Sequence, residues 1–218
     1  YVCDELELPA GVKNTLQQEY EFFSINPNTQ PVIPEEFKVL FVVKPTEPFS
    51  DEAKLKLDQY VMHGGKILFF VDKLNAELDS LQSKNGEVVA YDRQLGFLSG
   101  RFVNSIDTVE AGGIKKTILL SSSSNSRTIA TPALISVKEN VDAPENEKFK
   151  KANVPVAVLL EGKFQSLFSN RLSQSMNDTL QKYNSVFLQQ CINDNKMIVV
   201  ADGDIILNSV VKGNQAIP

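Results

Sequence analysis

The sequence predicts an α/β fold: a mainly parallel sheet flanked by helices, followed by a smaller β-rich part. Two short apolar runs, Val39–Val43 and 67–71, are rich in β-branched and aromatic residues with no polar face. Such runs are typical of strands that are buried on both sides. A third run of the same kind, 196–201, is expected to return to the same sheet.

The segment between the first two runs has the start and stop signals of a helix. Ser50 can cap its exposed N–H groups, and Asp51 and Glu52 follow where the helix dipole favours negative charge. His63 precedes Gly64 and a second glycine, a sequence that favours a left-handed C-terminal cap. The whole stretch is therefore predicted to be a βαβ unit.

The remaining chain is less regular, but its turn-forming residues and short apolar runs suggest further elements. We expect strands over 20–25, 88–91, 102–106, 116–121, 131–137 and 154–162, and helices ending near 20, over 74–81, from 164 and around 186–191. Residues 121–126 and 138–151 are expected to be loops. Residues 92–100 have no clear periodicity and suggest a junction near 95 and 96. We accordingly divide the chain into an N-terminal α/β unit, 1–95, and a second part, 96–218.

The composition limits the classes of function. The chain has 218 residues, 42% of them hydrophobic and 22% charged, and a net charge of -5. An acidic chain without a lysine and arginine block argues against a nucleic-acid partner. The apolar runs are far shorter than the roughly 18 residues of a membrane helix. Because the chain starts at Tyr1 without Met, we expect membrane or targeting segments outside this sequence.

Polar residues follow each of the three central strands. Asp202 and Asp204 flank a glycine directly after the third strand, Asp72 follows the second, and Lys44 follows the first. Loops at the carboxyl ends of parallel strands form the ligand crevice of open α/β sheets, so these four residues are the candidate ligand or partner loops. The two aspartates around Gly203 could hold a divalent cation, but a tight turn, with Gly203 in an unusual backbone conformation and one aspartate as a cap, is favoured.

No catalytic, cofactor-binding or metal-binding residue is predicted. His63 is the single histidine, and neither Cys3 nor Cys191 lies in a nucleophile elbow. The pair Gly64 and Gly65 before a lysine lacks phosphate-loop spacing, and no dinucleotide-binding glycine pattern occurs. We expect His63 to cap a helix and both cysteines to be unpaired thiols, although the sequence also allows a disulfide.

Three blocks of the chain, in order, resemble one known family. The blocks are 39–45 with 57–72, then 102–109 with 113–117, and finally 164–171 with 196–206. They are similar to the extracytoplasmic domain of GldG, the gliding-motility-associated ABC-transporter auxiliary protein. The resemblance implies a class I glutamine-amidotransferase-like (flavodoxin-like) sheet. It also implies a periplasmic domain, anchored by transmembrane segments outside this sequence, that accompanies an ABC permease and ATPase. Members of that family usually carry a longer insert at the position between 95 and 96, and this chain lacks it.

The leading hypothesis is a non-enzymatic binding or auxiliary component of an ABC transporter, with a role in gliding motility or export. One alternative is a hydrolase or amidotransferase-like enzyme that uses Cys191 or a serine with His63. Another is a peptide- or carbohydrate-binding module, for which an exposed aromatic platform would be the mark. The absence of tryptophan weakens the carbohydrate version.

Overall fold

The computed structural model of the chain describes residues 10–45, 47–72, 87–92, 96–101, 103–130, 149–206, 209–211 and 215–217. Within these ranges the helices are α1 (Ala10–Gln17), α2 (Asp51–Met62) and α3 (Gln174–Lys182). The strands are β1 (Val39–Val43), β2 (Lys66–Phe70), β3 (Glu87–Asp92), β4 (Gly96–Arg101), β5 (Ile114–Ser122), β6 (Pro155–Gly162), β7 (Asn195–Val200), β8 (Ser209–Val211) and β9 (Gln215–Ile217).

Seven strands form one sheet in the order β1-β2-β7-β6-β5-β3-β4, and β8 and β9 form a separate hairpin. The α/β class is confirmed, but the prediction of a mainly parallel sheet is wrong. The pairs β1–β2 and β2–β7 are parallel, whereas the pairings that connect β7, β6, β5, β3 and β4 are antiparallel. A continuous apolar run signals burial on both faces but carries no information about strand direction.

Helix α2 begins and ends as its sequence predicts. The Ser50 hydroxyl accepts a hydrogen bond from the Ala53 N–H (3.1 Å), and His63 is the C-terminal cap, followed by Gly64 at φ 99°. From Leu55 onward every residue of α2 is buried, including polar ones. A helix that is buried all round lies inside the protein core.

Two apolar clusters enclose α2. On the sheet side, Leu57, Tyr60 and Val61 pack with Leu40 and Ile67 of the central strands. On the outer side, a second cluster consists of Leu55, Phe168 and Leu180, with Leu172, Met176 and Phe187 packed against it. The outer cluster comes mainly from residues 163–194, which we call the outer segment. The chain therefore covers its central helix with a layer of its own.

The outer segment differs from its prediction. Residues 164–168 and 186–191 are not helical, and the helix of this region is α3, capped by the Ser173 hydroxyl, which accepts from the Met176 N–H (3.3 Å). Instead, Ser166 N–H donates to the Gln189 carbonyl, and Cys191 N–H donates to the Phe164 carbonyl. The two irregular stretches thus pair with each other, a long-range arrangement that local periodicity does not encode.

Three further predictions can be compared with the structure. The predicted strands at 20–25 and 103–106 are absent, and β4 lies in the stretch without clear periodicity. Residues 102, 131–137 and 74–81 lie outside the described residues, as does Cys3. The division at 95 and 96 stays a prediction, although β7 of the second part pairs directly with β2 of the first.

Candidate functional site

Three loops converge at one edge of the sheet because β1, β2 and β7 are parallel and adjacent. Lys44 follows β1, Asp72 follows β2, and Asp202 and Asp204 follow β7. The Lys44 Nζ lies 2.6 Å from the Asp204 Oδ1 and 3.7 Å from the Asp72 Oδ2. The structure therefore brings together the four residues that the sequence singled out, which we call the strand-end cluster.

Backbone amides complete the strand-end cluster. The Gly203 N–H donates to the Asp72 Oδ1 (2.8 Å), and the Asp204 N–H donates to the Asp202 Oδ1 (2.9 Å). The Asp202 side chain is fully buried, while Lys44 and Asp204 are about one-fifth exposed, at 23% and 19%. The Asp202 carboxylate thus accepts an N–H of its own turn, and Asp204 faces Lys44 near the surface.

Close approach, rather than an unusual backbone angle, is what requires glycine at position 203. The sequence prediction of such an angle at Gly203 is wrong, since the positive φ in this cluster belongs to Lys44, at 43°. A Cβ at Gly203 would lie 2.8 Å from the Asp72 Oδ2 and 3.0 Å from the Lys44 Cβ. The turn after β7 therefore fits between the other two loops only without a side chain.

The charges of the cluster influence one another. Burial raises the pKa of the Asp72 carboxyl, and the nearby Asp204 adds to this effect. The Gly203 N–H and Lys44 act in the opposite direction without cancelling the rise. Although burial by itself lowers the pKa of Lys44, its hydrogen bond and attraction to Asp204, together with Asp72, raise that pKa above its ordinary value. Lys44 is therefore held in its charged form.

The lysine occupies the position between carboxylates that a bound cation would otherwise take. Among the residues that the structure describes, no group of three or more histidine, cysteine, aspartate or glutamate side chains is arranged to hold a metal ion. The cluster is instead an ion pair that joins three loops, with one lysine neutralising part of the carboxylate charge. Its partly exposed members, Lys44 and Asp204, can contact another molecule through charge and hydrogen bonding.

Cys191 and His63 lack the arrangement of a nucleophile and its base. Cys191 is a free, buried thiol whose Sγ lies 3.4 Å from the Val61 carbonyl oxygen, and burial raises its pKa. A reactive cysteine needs the opposite, a lowered pKa and access to substrate. The His63 Nδ1 lies 2.8 Å from the Gln59 carbonyl oxygen, one helical turn earlier. Both side chains are engaged with the backbone of α2.

Asn104 is a neighbour of the cluster that the sequence did not reveal. Its N–H donates to the Ala201 carbonyl (2.8 Å), which places it beside the residue before Asp202. The Asn104 Nδ2 is buried and has no hydrogen-bond partner among the described residues. The sequence predicts a strand in this stretch, and nothing in its local pattern indicates a contact with the loop after β7.

Comparison with known families gives one result. The model of the ABC-transporter auxiliary family, described as an ABC-type uncharacterized transport system, matches residues 5–99 and 93–218. The chain belongs to this family. The ABC-transporter auxiliary match supports a non-enzymatic accessory role in partnership with transporter components. The two matched ranges overlap at 93–99, where the sequence predicts a junction.

No curated protein and no solved structure matches the chain. The family assignment therefore rests on the family model alone. Within the described residues of this ABC-transporter auxiliary protein, none of the helices has the length and apolar character needed to cross a membrane.

Proposed function

We propose that the chain is a non-enzymatic accessory domain that contacts the other components of an ABC transport complex through the loops after β1, β2 and β7. The observation that carries this proposal is the family match, which spans residues 5–218 in two overlapping parts. In this proposal the domain lies on the periplasmic face of the cytoplasmic membrane, and its partners are the permease and ATPase subunits.

The strand-end cluster is the part of those loops best suited to a specific contact. It is held in place from three strands at once, so its partly exposed Lys44 and Asp204 have fixed positions. Rigidly placed charges give specificity to a protein interface at little cost in ordering. The GldG resemblance adds the finer parts of the proposal, a glutamine-amidotransferase-like fold and a role in gliding motility or export.

Affinity capture of the full-length protein from its own membranes tests the accessory role. We expect an ABC permease and its ATPase to be recovered together with the wild-type protein. Recovery of neither subunit from an intact membrane extract would contradict the transporter role as a whole.

A matched pair of variants tests the loops separately. Lys44→Gln removes the positive charge of the cluster, whereas Lys54→Gln removes a lysine that is ion-paired with Asp51 (3.0 Å) in the first turn of α2. We expect only Lys44→Gln to reduce recovery of the permease, with both variants checked by thermal unfolding. If both variants recovered the permease as well as the wild type, the loops would not be the contact.

A further inference from the structure

A row of charged residues crosses four neighbouring strands at the end of the sheet opposite to the strand-end cluster. The register pairs Lys196 of β7 with Glu161 of β6, and Glu161 with Lys115 of β5. Lys66 of β2 continues this row, since the next residues along, Ile67 and Met197, are paired. Residues that are paired across strands point to the same face of a sheet. We call Lys66, Lys196, Glu161 and Lys115 the lysine row.

The lysine row is exposed and has an excess of positive charge. The Lys196 and Lys115 side chains are 59% and 75% exposed, and Lys66 is also exposed. The Lys196 Nζ lies 2.8 Å from the Glu161 Oε1, and the Lys115 Nζ lies 3.7 Å from the Glu161 Oε2. One carboxylate is therefore shared between two lysines. Three lysines against one glutamate give this row a net positive charge within a chain whose net charge is -5.

Apolar residues lie behind the lysine row on the same face of the sheet. Two residues further along the strands, on the same face, the side chains are apolar and half-buried. They are Phe41, Leu68, Ile198 and Leu159, which we call the apolar strip. Another two residues along, the side chains aligned on this face are buried, namely Val43, Phe70, Val200 and Ala157. Burial thus decreases steadily from the strand-end cluster towards the lysine row.

The described elements cover this face mainly at its buried end. The side chains packed against it from outside the sheet come from Val12 of α1, Phe22, Ile205 and Ile206. The face on the other side of the sheet has the whole of α2 and a further layer above it. An apolar strip bordered by exposed charged residues is characteristic of an interaction surface, and here the border has a net positive charge.

We infer that the apolar strip and the lysine row together bind an amphipathic helix of a partner protein, with its apolar stripe on the strip and its acidic residues facing the lysines. The charge of the row selects an acidic partner. The four strands span about 14 Å, which about ten helical residues would cover. A lipid surface fits less well, because the side chains of the strip are half-buried rather than exposed. The surface lies at the other end of the sheet from the proposed permease contact, so the inference goes beyond that function.

The experiment uses the whole chain and a designed, dye-labelled helical peptide of about 18 residues, with a leucine stripe flanked by glutamates. Fluorescence anisotropy is expected to show saturable binding that weakens as salt rises. A control peptide with the same leucines flanked by lysines is expected not to bind. Amide chemical shifts should change mainly in β2 and β7.

Two charge-matched variants decide the outcome. Lys66→Glu/Lys196→Glu is expected to weaken binding of the acidic peptide at least about tenfold. Lys54→Glu/Lys182→Glu changes the net charge equally at exposed sites elsewhere and is expected to leave the affinity unchanged. No saturable binding, or equal weakening by both variants, would overturn the inference. Binding to vesicles of phosphatidylcholine with phosphatidylglycerol but not to the peptide would also overturn it, in favour of a lipid surface.

Discussion

A single missing side chain allows three loops to meet at the edge of the sheet. Gly203 leaves room for the Asp72 carboxylate and the Lys44 stem, and its N–H binds that same carboxylate. Lys44 in turn adopts a left-handed backbone conformation that lysine rarely takes. Residues in such conformations persist only where the surroundings hold them, which here are the ion pair with Asp204 and the Phe70 carbonyl that accepts the Lys44 N–H.

Gly203→Ala is expected to destabilise the protein by about 1–3 kcal/mol, because the added methyl group forces Asp72 and Lys44 apart. Urea unfolding measures the change. Gly112→Ala is the matched control, since a Cβ there meets no atom within 4 Å, and its effect should stay within about 0.5 kcal/mol. Equal stability of the two variants would show that the three loops do not pack as described.

Tyr60 couples stability to alkaline pH. Its hydroxyl donates to the Phe37 carbonyl (3.0 Å), and burial raises its pKa to about 12. The unfolded phenol ionises near pH 10, so stability from this group is complete below about pH 10 and is lost as pH rises towards about 12. The loss is about 1.4 kcal/mol per pH unit within that window.

Tyr60→Phe should therefore lose about 1 kcal/mol at neutral pH, from the missing hydrogen bond. Above about pH 10 it should lose less stability per pH unit than the wild type. Urea unfolding at a series of pH values from neutral to alkaline compares the two proteins. Parallel stability curves throughout would contradict the buried, protonated phenol.

At the scale of elements, a buried carboxylate joins α2 to the outer segment. Asp58 of α2 accepts hydrogen bonds from the Ser166 hydroxyl (2.7 Å), the Leu167 N–H (2.8 Å) and the Gln59 amide (2.9 Å). Gln59 also exchanges two hydrogen bonds with the backbone of Leu188. Buried charge is tolerated only when its lone pairs are satisfied, so this network fixes the outer segment in one position.

Asp58→Asn replaces an acceptor by a donor opposite these N–H and O–H groups. We expect a loss of about 2–3 kcal/mol in urea unfolding and faster hydrogen exchange at the amides of residues 166–168. Asp178→Asn on the exposed face of α3 is the control and should change stability by less than about 0.5 kcal/mol. Unchanged exchange at those amides in Asp58→Asn would contradict the role of the network.

Elements that local chemistry determines were predictable, and those that depend on distant pairing were not. Ser50, His63 and Gly64 mark the ends of α2 in the sequence as they do in the structure. The outer segment, by contrast, contains two irregular stretches that bind each other and the buried Asp58 of α2. The apolar residues of these two stretches follow no helical period. The candidate site shows the same contrast. The carboxyl ends of parallel strands meet at one end of the sheet, which predicts that Lys44 lies near the aspartates. No pattern in the sequence around Asn104 predicts its contact with the loop after β7.

At the scale of the molecule, one sheet spans both proposed parts of the chain. Strand β7 lies between β2 and β6, and it pairs with four residues of β2. A fragment that ends at residue 95 leaves an edge of β2 unpaired, and the complementary fragment leaves β7 without that partner. Exposed edges of buried strands are unstable and prone to association.

We therefore expect neither fragment 1–95 nor fragment 96–218 to unfold cooperatively on its own, because each lacks half of the β2–β7 pairing. An equimolar mixture should regain a cooperative thermal transition in circular dichroism. The intact chain is the reference for that transition. A transition of fragment 96–218 alone near the temperature of the intact chain would instead show two independently folding units.

The central position of β7 also determines when the sheet can be completed during synthesis of the chain. Strand β2 is synthesised long before β7, and β6 shortly before it, so both strands have an unpaired edge until residue 200 has emerged. Contacts between such distant parts of a chain form slowly, and open edges attract other chains in the meantime. We therefore expect nascent chains that end before β7 to depend more on chaperones than the complete chain does.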